Sequence, residues 1–194
     1  MKNIIFMIMM MVLSINILSA EEVSELWLIQ GSQQFNIADQ DSLVLEKLPF
    51  KISFTVDDYN AEQDRWYAAR ITASLNPDIF NIQPGDHTEQ TQFFFPGAGL
   101  AAAGIYSSLY LNEHACHYLF YDLENPDISR AELINQHGKT LQLEWTIDKV
   151  QGETQQDIED FDSQIVYLIY YYDQDLDNVI DQGEFKRFTI LFID

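Results

Sequence analysis

Between residues 173 and 184 the chain reads D-Q-D-L-D-N-V-I-D-Q-G-E, with carboxylates at Asp173, Asp175, Asp177, Asp181 and Glu184 and no Lys or Arg among them. Five anionic groups in so short a stretch repel one another unless something cationic lies between them. Alternating Asp side chains on a tightly wrapped backbone can bring hard oxygens to one centre. Calcium takes six to eight such oxygens and tolerates irregular geometry, so it suits this spacing. The competing reading is a solvated acidic turn between two strands.

The segment resembles the twelve-residue calcium loop of EF-hand proteins. Asp173, Asp175 and Asp177 fall on its first, third and fifth positions, Val179 on the seventh, Ile180 on the hydrophobic eighth, Asp181 on the ninth and Glu184 on the twelfth, with Phe185 following as in the family. The resemblance implies that Asp173, Asp175, Asp177 and Glu184 bind through side chains, Val179 through its carbonyl and Asp181 through water. Two positions depart from the pattern. Asn178 stands where the family prefers Gly, and Asn adopts a left-handed backbone more readily than most residues. Leu176 stands where the family is normally polar, which is expected to expose or misplace an apolar side chain. The likeness spans 12 of 194 residues, and a strand-like run precedes it. The expectation is therefore a calcium loop in a β setting, not a paired EF-hand domain. A single loop of this kind should bind weakly, with Kd of ~10⁻⁵ to 10⁻³ M, and the ion should be structural.

Other groupings carry less. Glu113, His114, Cys116 and His117 include transition-metal ligands, but on a strand Cys116 and His117 point to opposite faces. A periplasmic zinc- or copper-binding role using His114, Cys116 and His117 is thus an alternative reading. Gly97-Ala98-Gly99-Leu100-Ala101-Ala102 fits a loose dinucleotide fingerprint without the α/β context that gives it meaning. Asp157, Glu159, Asp160 and Asp162 form a second acidic cluster, best read as a solvated loop. An exported hydrolase working through acidic residues is a further alternative, although no nucleophile elbow is present. Of the three Trp residues, Trp145 belongs on an apolar strand face, while Trp27 and Trp66 could serve a sugar-stacking surface, Trp66 the better placed.

The elements that must position the acidic loop are strands. Phe50, Ile52, Phe54 and Val56 alternate with polar residues, as do Leu141, Leu143, Trp145 and Ile147, and Phe188, Ile190 and Phe192, the period of a half-buried strand. Residues 165–172 (IVYLIYYY) are apolar or aromatic throughout, which suits a central strand covered on both faces. Residues 165–172 and 185–192 flank the loop and are expected to pair as an antiparallel hairpin that the ion would pin. Weaker strand signals lie at 25–30, 42–46, 67–75 and 116–122. Ser129 and Glu132 make a capping-box pattern that predicts a short helix over 130–136. Breakers such as Asn76-Pro77-Asp78, Gln83-Pro84-Gly85-Asp86 and His137-Gly138 separate the runs. The pattern predicts an all-β fold, an antiparallel β-sandwich with a barrel as the alternative, and at most one or two short helices.

Residues 1–20 differ from the rest. Lys2, an apolar stretch over residues 4–18 and the small-residue exit Ser19-Ala20 ahead of Glu21-Glu22 predict a cleaved signal peptide, with an uncleaved anchor as the rival. A single domain over 21–194 should follow, exported to the periplasm or secreted and not inserted in the membrane after cleavage. The chain holds 31 acidic against 10 basic residues, a net charge of −21. Such a field repels phosphate backbones, so nucleic acid is not an expected partner. Cys116 is the lone cysteine, so no internal disulfide can form, and stability must come from packing or a bound ion. The expected role is a non-enzymatic binding or assembly module with a protein or glycan partner.

Overall fold

The computed structural model describes residues 25–59, 68–94, 107–111 and 116–194. The expected signal peptide (1–20), Trp66, the Gly97–Ala102 pattern, Glu113 and His114 lie outside the described residues. Among the described residues there are thirteen strands: β1 (Leu26–Gln30), β2 (Gln33–Asn36), β3 (Ser42–Glu46), β4 (Phe50–Val56), β5 (Ala69–Ser74), β6 (Ser108–Tyr110), β7 (His117–Tyr118), β8 (Glu132–His137), β9 (Thr140–Ile147), β10 (Lys149–Gln151), β11 (Gln155–Asp157), β12 (Ile165–Tyr172) and β13 (Phe185–Ile193). The only helical pieces among them are short 3₁₀ turns, such as Pro77–Asn81, Thr88–Gln90 and Gln92–Phe94.

Two five-stranded sheets face each other. The first runs β2-β1-β4-β9-β8 and the second β3-β13-β12-β5-β7, with a small β11-β10-β6 sheet at the side. The first sheet is antiparallel throughout. The second is antiparallel except where β13 and β3 run parallel, and β10 and β6 form a second parallel pair. Period-two alternation sends Ile52 and Phe54 of β4 and Leu143 and Trp145 of β9 inward to meet Leu168 and Tyr170 of β12 and Phe188 and Ile190 of β13 in one buried cluster. Phe54 lies against Tyr170 with ring centroids 6.0 Å apart, and Phe50 against Phe192 at 6.2 Å. Each sheet keeps its edges, so the fold is an all-β sandwich and the barrel alternative falls.

β12 is central in its sheet and apolar on both faces because both are covered. Val166, Leu168, Tyr170 and Tyr172 enter the core between the sheets, while Ile169 and Tyr171 enter a second cluster with Ile79, Ile82, Phe93, Phe94, Cys116 and Ile180. Residues 77–94 supply much of that second cover. Their first 3₁₀ turn starts at the predicted breaker, where the Asn76 Oδ1 accepts the Asp78 N–H at 2.9 Å ahead of Pro77.

The helix predicted over 130–136 is absent, and residues 132–137 form β8. Ser129 Oγ accepts the Asp122 N–H at 2.8 Å instead of capping a helix, and its own N–H donates to the Pro126 carbonyl. The open edge of β9 offers residues 132–137 a full antiparallel ladder, with a bulge between Leu133 and Asn135. Gly138, at φ +62°, makes the tight turn from β8 into β9, as the His137-Gly138 signal predicts.

Candidate metal centre

The acidic loop joins β12 to β13, whose antiparallel register runs from Ile165↔Leu191 to Tyr171↔Phe185. The hairpin expected from the sequence is therefore present. At its start, the Tyr172 N–H donates to the Glu184 carbonyl at 2.7 Å, and the Asp173 N–H to the Ala68 carbonyl at 3.0 Å. These bonds fix where the first and last acids of the loop begin.

The loop then turns sharply. Leu176 and Asn178 both adopt left-handed backbone, at φ +64° and +61°. Short side-chain-to-backbone bonds hold the turn: the Asp177 N–H donates to Asp175 Oδ1 (3.3 Å), the Asn178 N–H to Asp173 Oδ2 (3.2 Å) and the Val179 N–H to Asp177 Oδ1 (2.7 Å). As a result, carboxylate oxygens of Asp173, Asp175 and Asp177 lie within 4.8 Å of one another, Asp173 buried and the other two exposed. Among the described residues, no other three His, Cys, Asp or Glu side chains converge in this way. Asp157, Glu159, Asp160 and Asp162 are exposed and do not converge.

The remaining predicted ligands do different work. Glu184 is 6 % exposed, and its two oxygens accept the N–H groups of Gln174 (2.7 Å) and Asp181 (3.2 Å), drawing the ends of the loop together. The Val179 carbonyl accepts the Tyr171 hydroxyl at 2.9 Å, which leaves its second lone pair. Asp181 is exposed, and its carbonyl accepts the Glu184 N–H. Leu176 corrects the expectation that it would be exposed or misplaced: it is partly buried and packs against the main core. The left-handed turn at that residue swings its side chain inward, which anchors the loop.

Arg70, on β5, is the residue that sequence reasoning missed. Its guanidinium donates to Asn178 Oδ1 at 2.8 Å and to Thr88 Oγ1 at 3.0 Å, and lies 3.6 Å from Asp173 Oδ2. It also sits over the rings of Tyr118 and Tyr171, at 5.0 and 5.5 Å from their centroids. A signal existed: Arg70 interrupts Ala-Ala-Arg-Ile-Thr-Ala, a run buried at every position, where a charge requires an acidic partner.

The charge balance of the loop is incomplete. Asp173 is 1 % exposed, and its Oδ1 has no hydrogen-bond partner. A buried acceptor left so costs about 1–3 kcal/mol. Burial pushes the Asp173 carboxyl above the ordinary range, although Arg70, the Asn178 N–H and the neighbouring Tyr171 hydroxyl pull it back. Burial also raises Glu184, to about 7, against the pull of the Gln174 and Asp181 N–H groups and with help from Asp173 and Asp175. The Tyr171 hydroxyl is pushed well up by burial and by the same two acids, Asp173 and Glu184, so it stays a donor.

No family model, curated protein or solved structure matches this chain.

The loop's own chemistry defines what it can hold. Three converging carboxylates, one of them buried with an orphaned oxygen, form a group that can hold a metal ion. The other grouping raised by the sequence is split. Cys116 Sγ meets the Phe94 carbonyl at 3.6 Å within the outer cluster. His117 turns the other way, its ring 4.9 Å from that of Trp145 and its Nε2 accepting the Tyr110 N–H at 2.8 Å. Both are buried, as is Trp145, whereas Trp27 is 37 % exposed.

Proposed function

We propose that residues 173–184 are a calcium-binding loop that pins the β12–β13 hairpin of an exported, non-enzymatic β-sandwich, whose role is binding or assembly. The observation that carries the reading is the buried Asp173 carboxylate, with one oxygen unpartnered, among the converging oxygens of Asp175 and Asp177. All the donors are hard oxygens, which favours calcium over softer metals, and their mix of buried and exposed groups suits an ion that tolerates irregular shells. Asp173, Asp175 and Asp177 would hold the ion. Glu184, Val179 and Asp181 complete the EF-hand-like set, Glu184 by trading its backbone partners for the metal. The ion would supply positive charge and a crosslink between the two ends of the hairpin; it has no part in a reaction.

The decisive experiment is thermal unfolding in excess calcium and in chelator. At 100 times Kd the ion adds ~2.7 kcal/mol. For a chain of this size that corresponds to a rise in Tm of about 5–10 °C. Glu184→Gln should lose most of that rise. An unchanged Tm for the wild-type protein would sink the proposal.

A further inference from the structure

The outer face of β12 is shielded by a stretch with no strand of its own. Ile79, Ile82, Phe93 and Phe94 lie over Ile169 and Tyr171, together with Cys116. Phe94 meets Tyr171 edge-on at 5.8 Å between centroids, and Phe80 meets Tyr167 likewise at 5.4 Å.

Among the described residues, the backbone bonds leaving residues 77–94 run to the acidic loop, apart from the local turn bond from the Ile79 N–H to the Asn76 carbonyl. The Gly85 N–H donates to the Ile180 carbonyl, the Ile180 N–H to the Asp86 carbonyl and the Thr88 N–H to the Asn178 carbonyl, each at 2.9 Å, around a bridge between His87 and Val179. Arg70 ties Thr88 to Asn178 on the same side, and Arg187 adds a side-chain bond to the Ile82 carbonyl. Asn178 therefore serves two structures at once. Its N–H holds the Asp173 carboxylate and its carbonyl holds Thr88. Ile180 does so too: its backbone pairs with the covering stretch while its side chain, fully buried, enters the same cluster as Phe94.

We propose that an ion in the 173–184 loop latches residues 77–94 over the outer face of β12, and that loss of the ion frees this cover to lift and expose the aromatic face beneath. The inference rests on the calcium reading of the loop. An empty loop leaves its carboxylates to repel one another. The turn at Asn178 that they brace is the one that presents Asn178 and Ile180 to the cover. With that ladder gone, the described contacts left to the cover are the apolar cluster and side-chain bonds such as that of Arg187 to the Ile82 carbonyl, with no backbone ladder to a neighbouring strand, the marks of a segment that opens locally. The uncovered surface would be an apolar and aromatic sheet face, Ile169 and Tyr171 at its centre, on a strongly acidic protein.

Cys116 is a built-in reporter of the cover. It is the only cysteine of the chain, it is 1 % exposed, and its sulfur touches the Phe94 carbonyl. Burial pushes its thiol up to about 11, so while covered it is protonated and inert at pH 8. The experiment is labelling of the full chain with a disulfide reagent at pH 8, in chelator and in calcium, with calcium affinity measured by calorimetry on the same sample. If only the latched form holds the ion, labelling slows by 1 + [Ca]/Kd, about 100-fold at 100 times Kd. Hydrogen exchange at the β4–β9 amides, in the opposite sheet, reports unfolding of the sandwich. Cys116 should react in chelator far faster than those amides exchange through opening. Thr88→Val, which removes a hydroxyl from the latch and none of the metal ligands, should keep the calorimetric binding and label several-fold faster in calcium. Calorimetric binding with no slowing of labelling overturns the latch while leaving the calcium loop intact, as does labelling of Cys116 only at the rate of global opening. No calorimetric binding overturns the calcium reading, and the latch with it.

Discussion

Glu184 offers a perturbation whose sign and size follow from the structure. Burial raises its carboxyl from 4.5 to about 7 in the folded, ion-free protein. Below pH 4.5 the group is protonated in both folded and unfolded chains, and its contribution to stability is fully present. Between 4.5 and 7 the unfolded chain releases a proton that the folded chain keeps, so folding loses ~1.4 kcal/mol per pH unit. Across that window the loss totals about 3 kcal/mol, and it is complete above pH 7. Bound calcium would pair with the ionised carboxylate and abolish the loss. The assay is urea unfolding followed by tryptophan fluorescence in chelator, from about pH 4 to 8, at ~0.15 M salt so that the general repulsion of the acidic surface is screened. Glu184→Gln is the control. It loses a hydrogen bond from Asp181, a constant offset, but it cannot titrate. Asp173 is pushed in the same direction but remains in both proteins, so the difference in slope belongs to Glu184. Wild type should lose about 3 kcal/mol more than the variant on going from pH 4.5 to 7. Parallel curves for the two proteins would refute the claim that the folded loop holds Glu184 as an acid.

Three other perturbations test the geometry of the loop. Asn178→Ala puts alanine, which tolerates left-handed backbone less well than Asn, at φ +61° and removes one of the acceptors of Arg70, so urea unfolding in chelator should show a loss of about 2 kcal/mol or more. At Leu176, with φ +64°, Leu176→Ala and Leu176→Gly lose the same packing, but Gly is free of the left-handed strain. The Gly variant should therefore be the more stable of the two by about 0.5–1 kcal/mol, and the reverse order would mean that the turn is not left-handed in solution. Arg70→Met strands the Asp173 carboxylate and should cost roughly 3 kcal/mol in chelator. Calcium should recover more stability in this variant than in wild type, read as a larger rise in Tm.

What the sequence determined is what is local. Alternation along β4, β9 and β13 marked the strands and their inward faces, since a strand's period of two is written into consecutive residues. The unbroken apolar run of β12 announced a strand covered on both sides, and the spacing of Asp173, Asp175 and Asp177 marked the one place among the described residues where three carboxylates converge. The short strands β2, β6, β10 and β11 were not legible: none has enough residues to show a period. Residues 132–137 carried a capping-box pattern yet became β8, because an open edge of β9 outbid a few weak helix contacts. The parallel pairing of β3 with β13 likewise depends on which edge is vacant when the sheet assembles. At the site, sequence alone showed a string of acids. Only the folded chain decided that Asp173 and Glu184 are buried, that Leu176 turns inward, and that Arg70 and residues 85–88 lie against the loop. Burial and long-range charge pairing depend on what arrives from elsewhere in the chain, and no spacing within twelve residues encodes that.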